Sequence, residues 1–230
     1  MFNGKMKALT FSYDDGITQD IRFIELLDKY GLKATFNINS ELLGKPGSLN
    51  VSGVKVNHTK VPADKVAEIY QNHEIAVHTL THPRLKELEK DELIRQVEQD
   101  RVNLSALVGY EVVGMASPFG DDSEYIAETI RENTGVRYSR TTIGSNNFEP
   151  QENLYRFSPT IYHLFWDDMM KLGKEFVELK ADKPQIFYVW GHTYELDIDP
   201  ENWNRIEEFM KLVSGKDDIF YGTNREILLK

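Results

Sequence analysis

Met6–Gly16 reads MKALTFSYDDG, and this stretch decides the fold: an apolar run from Met6 to Tyr13 that stops abruptly at Asp14-Asp15-Gly16. Such a run, bounded by a turn signal, reads as a buried strand delivering its last residues to a functional turn. A helix follows, with Ile21, Ile24, Leu26 and Leu27 at helical spacing, Thr18 as N-cap and Gly31 as a left-handed stop. Lys33–Ile38 (KATFNI) then reads as a second strand. Two adjacent carboxylates at a strand end repel unless a positive charge compensates, and a divalent cation is one solution. Asp-Asp-Gly also closes ordinary turns, so the dipeptide alone leaves both readings open.

Outward from there, strand and helix alternate. Gly44–Asn57 has no helical period and reads as a loop excursion or small hairpin without chemistry. Asp64–Asn72 has helical periodicity, His73–Val77 reads as a strand, and Lys90–Val108 as a long amphipathic helix with Leu93, Val97, Val102 and Leu104 on its apolar face. The pattern continues with strands at 112–116, 136–138 and 184–190 and helices at 123–133, 168–180 and 203–212. Repeated βα units of this kind predict one α/β domain over residues 1–230, a deformed (β/α) barrel with about seven parallel strands. In such barrels functional residues gather where strands end, and Asp14, Asp15, His78, Pro118 and His192 all fall just after predicted strands.

Composition narrows the chemistry. The 37 acidic and 27 basic side chains leave a net charge of −10, which excludes broad attraction to nucleic acid or anionic lipid. The chain has no cysteine, so a metal would have to be held by His, Asp or Glu. No stretch approaches the ~20 apolar residues of a membrane span, and the first ten residues hold no apolar run of signal-peptide length. A cytoplasmic protein and a domain from a longer exported one, extracellular or at the cell wall, are both compatible with that, and the oligomeric state is not encoded in any pattern here.

His78-Thr79-Leu80-Thr81-His82-Pro83 places two imidazoles four apart where the chain leaves a strand. Alone, such a pair is as often a surface or capping feature. Joined to one carboxylate, it makes a facial ligand set with open positions for water and a substrate oxygen.

With these residues the chain resembles the polysaccharide deacetylase (NodB-homology) family, the fourth carbohydrate esterase family. Leu9–Gly16 (LTFSYDDG) matches its first motif, Ala34-Thr35-Phe36 its next strand, and His73–Pro83 (HEIAVHTLTHP) its second motif. The resemblance extends from about residue 8 to about residue 195. It implies that Asp14 is the general base and that Asp15, His78 and His82 bind a divalent metal, commonly Zn²⁺ in this family. The third motif, Arg-x-Pro-Tyr, corresponds to Ala116-Ser117-Pro118-Phe119: the proline remains, the arginine is lost, and the Phe119 main-chain N–H is the candidate oxyanion donor. Arg140, just past the following strand, is the candidate replacement cation, with a solvated loop arginine as the alternative. The fourth motif, an Asp-Trp pair, is not evident. Phe187–Glu195 (FYVWGHTYE) approximates the fifth, with His192 as candidate general acid and Glu195 as a carboxylate able to raise its pKa.

Trp190 and Tyr194 are expected to wall a sugar site, Pro118, Asn39 and His163 are further substrate-rim candidates, and His58 and His73 are read as structural. The resemblance implies deacetylation of an acetylated carbohydrate, most directly the N-acetyl group of N-acetylglucosamine in peptidoglycan or chitin-like chains. An O-acetyl esterase of the xylan type, a non-catalytic carbohydrate-binding module and a metal-dependent hydrolase of small amides are the alternatives.

Overall fold

A computed structural model describes residues 2–229. The chain opens with β1 (Lys7–Asp14), α1 (Asp20–Lys29) and β2 (Ala34–Ile38), then makes a hairpin, β3 (Ser48–Val51) and β4 (Val54–Asn57). There follow α2 (Val66–Ile69), β5 (Glu74–Val77), α3 (Lys90–Val108), β6 (Gly114–Ala116), α4 (Glu124–Asn133) and β7 (Tyr138–Arg140). The last third holds β8 (Ile161–Tyr162), α5 (Trp166–Glu178), β9 (Gln185–Gly191), α6 (Glu201–Val213), β10 (Ile219–Tyr221) and α7 (Asn224–Leu228).

Apart from the antiparallel hairpin, every strand pair is parallel, in the order β7-β6-β5-β2-β1-β9-β8 with β10 beside the start of β1. The sheet curls into the deformed barrel expected from the sequence. The segment after β7 spans its remaining gap: Phe157 bridges to Arg140 on one side, and Ile161–Tyr162 pair with Val189–Trp190 on the other.

β1 is buried along its whole length because both of its faces are covered. Leu9, Phe11 and Tyr13 face the helices, where Phe11 meets Phe23 of α1 and Phe209 of α6 edge to face, with ring centroids 6.3 and 6.2 Å apart. The alternate residues Ala8, Thr10, Ser12 and Asp14 face the barrel interior, as the two-residue period of a strand requires. That interior is polar toward both ends. Thr10 donates to Asn224 of α7 (2.8 Å), Asn37 donates to Ser12 (2.9 Å), and buried Glu74 accepts from Thr35 (2.8 Å) and Tyr138 (2.9 Å). The Asn37 amide nitrogen and the Glu74 carboxylate are thus paired, while the buried Asn37 Oδ1 has no partner among the described residues. Phe2, Ile186 and Ile227 close the lower end apolarly.

Several sequence expectations shift. Gln19 rather than Thr18 precedes α1, because Asn57 from the hairpin donates to the Thr18 hydroxyl (2.9 Å); Gly31 does take the left-handed turn after the helix (φ 64). Ile21 and Val102 lie on exposed helix faces, while Phe23 and Leu27, and Leu93 and Leu104, make the buried ones. Residues 64–72 form only one α-turn after a 3-10 turn at Ala63–Lys65. The strand expected at 136–138 sits two residues later, which makes Arg140 its last residue rather than a loop residue.

Candidate active site

The C-terminal ends of β1, β5, β6, β7 and β9 open into one cleft of about 640 Å³, within the size range of small-molecule sites. Asp14 and Asp15, His78 and His82, and His192 and Tyr194 all line it.

On one side the ligand atoms of Asp15, His78 and His82 lie within 4.8 Å of one another. Nδ1 of His78 donates to the Ala116 carbonyl (2.7 Å), which fixes the tautomer and leaves Nε2 free to ligate. Burial pushes the His78 imidazole down to about 4 and also lowers His82, so both are neutral, the form that binds metal. One carboxylate and two neutral imidazoles fit a divalent cation of the Zn²⁺ kind, with positions left open.

The backbone around this trio is strained. Asp15 (φ 84), Thr79 (φ 67), His82 (φ 60) and Phe119 (φ 57) all adopt left-handed conformations that non-glycine residues rarely take. Four such residues at one cleft are the clustering seen where geometry serves function. The 79–82 loop is tied down by α3. Leu80 N–H donates to the Gln96 carbonyl (3.0 Å), and Asp100 accepts from His78 N–H (3.1 Å) and Ser40 N–H (2.7 Å).

Around Asp15 lie two residues that sequence reading did not place there. His58 Nε2 is 3.1 Å from Asp15 Oδ2, so His58 is a site residue and not the structural one expected; the hairpin it follows carries it over the cleft. Lys60, buried, donates to the Asp15 carbonyl (2.7 Å) and Oδ1 (3.3 Å). Burial alone would raise the Asp15 carboxyl, but the His58 hydrogen bond and the Lys60 charge outweigh it and hold it well below the usual range. The only advance signal was spacing: His58 and Lys60 follow a strand-like run as the other site residues do.

On the other side, Arg140 Nη2 meets both oxygens of Asp14, at 2.6 Å from Oδ1, and Asn37 donates to the same Oδ1 (2.8 Å). Burial pulls the Asp14 carboxyl up, and the charge and hydrogen bond of Arg140, with the charge of His192, overcome it, leaving the group lowered and ionised. Arg140 is 1% exposed and stacks 4.6 Å from the Trp190 ring. Its position has a simple explanation, because Ala116 and Arg140 are register partners on β6 and β7. Registered residues on neighbouring parallel strands point to the same face, so an arginine missing at 116 is supplied one strand over.

His192 faces Asp14 across 3.9 Å and points Nδ1 at Glu195 Oε1 (3.2 Å). Burial disfavours its charge, but Glu195, Asp14 and Asp15 more than compensate and raise it to about 9. Glu195 in turn stays ionised: burial is outweighed by His192 and His163.

Trp190 and Tyr194 line the cleft, joined by Leu42 of the turn after β2 and by Leu49 of the 44–57 excursion, which reads from sequence as without chemistry. Phe119 lines it too, just ahead of Gly120 and Asp121, whose N–H groups donate back to the Ser117 (3.1 Å) and Pro118 (3.0 Å) carbonyls. Three rim candidates lie behind the wall instead. Asn39, buried, donates to the His78 and Thr79 carbonyls and braces the histidine loop. Pro118 is buried at the start of the 3-10 turn that shapes the Phe119 backbone. His163 is fully buried behind Glu195.

The family model described as Polysaccharide deacetylase matches residues 2–139, more than half of the chain. No curated protein matches the chain in sequence. Among solved structures, the chain is similar to a mutant of BA3943 from Bacillus anthracis, described as a carbohydrate esterase family 4 pseudoenzyme with restored activity (18% identity, TM-score 0.60, 96% of this chain and 67% of that one). It is also similar to a family 4 carbohydrate esterase from Streptomyces lividans in complex with acetate (12% identity, TM-score 0.59, 95% and 92%) and to the peptidoglycan deacetylase PdaC from Bacillus subtilis (15% identity, TM-score 0.56, 96% and 90%). It spans 55% of the length of the Streptococcus pyogenes deacetylase PplD. At these identities the structures share the fold; the sequence model carries the membership. The chain belongs to the polysaccharide deacetylase family.

Proposed function

We propose that the chain hydrolyses the acetamide of N-acetylglucosamine units in a peptidoglycan- or chitin-like glycan, using a divalent cation, Zn²⁺ by preference, held by Asp15, His78 and His82. The observation that carries this reading is the convergence of those three ligand atoms within 4.8 Å beside an ionised Asp14 on one side and a protonated His192 on the other. A base and an acid whose environments push them to opposite protonation states mark the two ends of a proton transfer. Among the similar structures, PdaC is a peptidoglycan deacetylase, in keeping with such a substrate.

The cation would supply Lewis acidity, polarising the acetyl carbonyl and easing deprotonation of the attacking water. The residues of the chain do the rest. Asp14, anchored by Arg140 and Asn37, accepts the proton of the water. The Phe119 N–H, held in its left-handed turn, stabilises the oxyanion that forms on the carbonyl. His192 delivers its proton to the departing amine, a poor leaving group that cannot depart without one. Trp190 and Tyr194 offer apolar faces to the acetyl group and sugar ring.

Acetate release from N-acetylglucosamine oligomers, peptidoglycan and acetylated xylan tests this, with the protein as isolated, chelated, and resupplied with Zn²⁺. The expected result is release from the N-acetylated glycans, lost on chelation and restored by Zn²⁺. Release from xylan alone would make it an O-acetyl esterase. Glycan binding that ignores the chelator, with no acetate at any metal concentration, would make it a binding module.

A further inference from the structure

Behind the cleft wall Tyr13, His163 and Glu195 form a buried polar chain that the mechanism above does not use, and it ends on the acid itself, His192. We propose that His163 is a positioning residue for the general acid, holding Glu195 in the one orientation that presents an oxygen to His192. The inference rests on the reading of His192 as that acid.

His163 is fully buried and lies outside the cleft lining, so it cannot touch substrate. Its Nε2 is 2.8 Å from Glu195 Oε2 and its Nδ1 is 2.9 Å from the Tyr13 hydroxyl. A carboxylate only accepts, so Nε2 carries the proton, and Nδ1 of the neutral ring accepts from Tyr13 O–H. Burial keeps the ring neutral, lowering its pKa against the pull of Glu195. The Glu195 carboxylate is then fully engaged. Oε2 takes His163 Nε2–H and the His192 backbone N–H (3.0 Å), while Oε1 takes the Tyr162 hydroxyl and faces His192 Nδ1 (3.2 Å). Without the His163 donor, one of two bonds on Oε2 is lost and the carboxylate is free to turn away from His192.

Gly191 is shaped for this arrangement. A Cβ there would lie 2.5 Å from His163 Cδ2 and 2.6 Å from Nε2, so the residue before His192 must lack a side chain for the ring to reach Glu195. The ring is further packed edge-on to Tyr13 and against Trp166. The charged and titratable groups facing the network are His163, Tyr162 and His192 around Glu195, and Asp14, Asp15, Glu195 and Tyr194 around His192.

The test is an NMR titration of the His192 ring in the Zn²⁺-loaded protein, with acetate-release kinetics alongside. In His163→Phe the His192 pKa should fall by about one unit or more, and kcat above neutral pH by about tenfold with KM unchanged. His163→Gln, which returns an N–H donor, should recover most of both. Should the phenylalanine variant not fold, His163→Ser, which leaves no donor within reach, carries the same expectation. An unmoved His192 titration in a folded variant overturns the proposal, as does a loss confined to melting temperature or KM. The titration needs no turnover. A protein that releases no acetate refutes the deacetylase reading while leaving the titration result to stand or fall by itself.

Discussion

On the cation side of the cleft, Asp15, His78 and His82 come from two short loops, and both histidines lie within five consecutive residues. On the proton side, Asp14 is served by Arg140 from β7, by His192 after β9, and through His192 by Glu195 and His163. The cation side leaves little freedom. Ligands must sit about 2 Å from one ion in a fixed arrangement, so residue types and spacing are both dictated, and left-handed backbone at Asp15 and His82 is tolerated to achieve it. Orienting a carboxylate requires only a cation in reach of it. Any strand that brings an arginine to the same face will serve, as β7 does for β6 here.

If that contrast is right, the cation side should tolerate no exchange. His78→Ala removes one ligand of three, and acetate release should fall at least about 10³-fold, with no recovery on added Zn²⁺. Elemental analysis of the purified variant should show the metal lost with the activity. Near-normal turnover by a metal-free His78→Ala protein would break the comparison at its firmest point.

The proton side should tolerate relocation. Arg140→Ala leaves Asp14 buried with its main counter-charge gone, so its carboxyl rises toward protonation and the base is lost; turnover should fall about 10²-fold. Breaking such a buried pair should also cost about 3–5 kcal/mol of stability, read as a lowered denaturant midpoint. Adding Ala116→Arg returns the guanidinium to the registered position on β6 and should restore part of both. Normal turnover in the single variant would show that Asp14 needs no partner. No rescue in a folded double variant would show that position, and not charge alone, matters.

The same contrast explains what could be read in advance. The strand ending at Asp14, the histidine loop and helix 90–108 were legible because motif spacing and hydrophobic period are local properties. β8 and β10, two and three residues long, carry no period to detect. The shift of β7 by two residues hid the fact that Arg140 ends a strand and is paired with Ala116. His58 reads as structural because its partner, Asp15, is remote in sequence, and only the path of the hairpin brings it and Lys60 to that carboxylate. His163 and Asn39, expected on the substrate rim, turn inward instead, His163 to the Glu195 carboxylate and Asn39 to the His78 and Thr79 carbonyls.

The gentlest test of the contrast is pH. Asp14 is lowered and His192 raised to about 9, so both stand in their working forms through neutrality. The sign follows from His192. Its unfolded pKa is about 6.5, so the stabilisation it gains from Glu195 and Asp14 is complete below that value and is lost as pH rises through about 9. Activity should accordingly hold level across neutral pH and decline about tenfold per unit beyond the folded pKa. A bound cation beside Asp14 and Asp15 cancels part of the negative charge that raises His192, so loading Zn²⁺ should move the ring's titration downward from its value in the chelated protein. A chelated protein whose His192 titrates at or below the unfolded value would mean that Glu195 does not face it in solution. The proton side would then lack the one feature that makes it an acid.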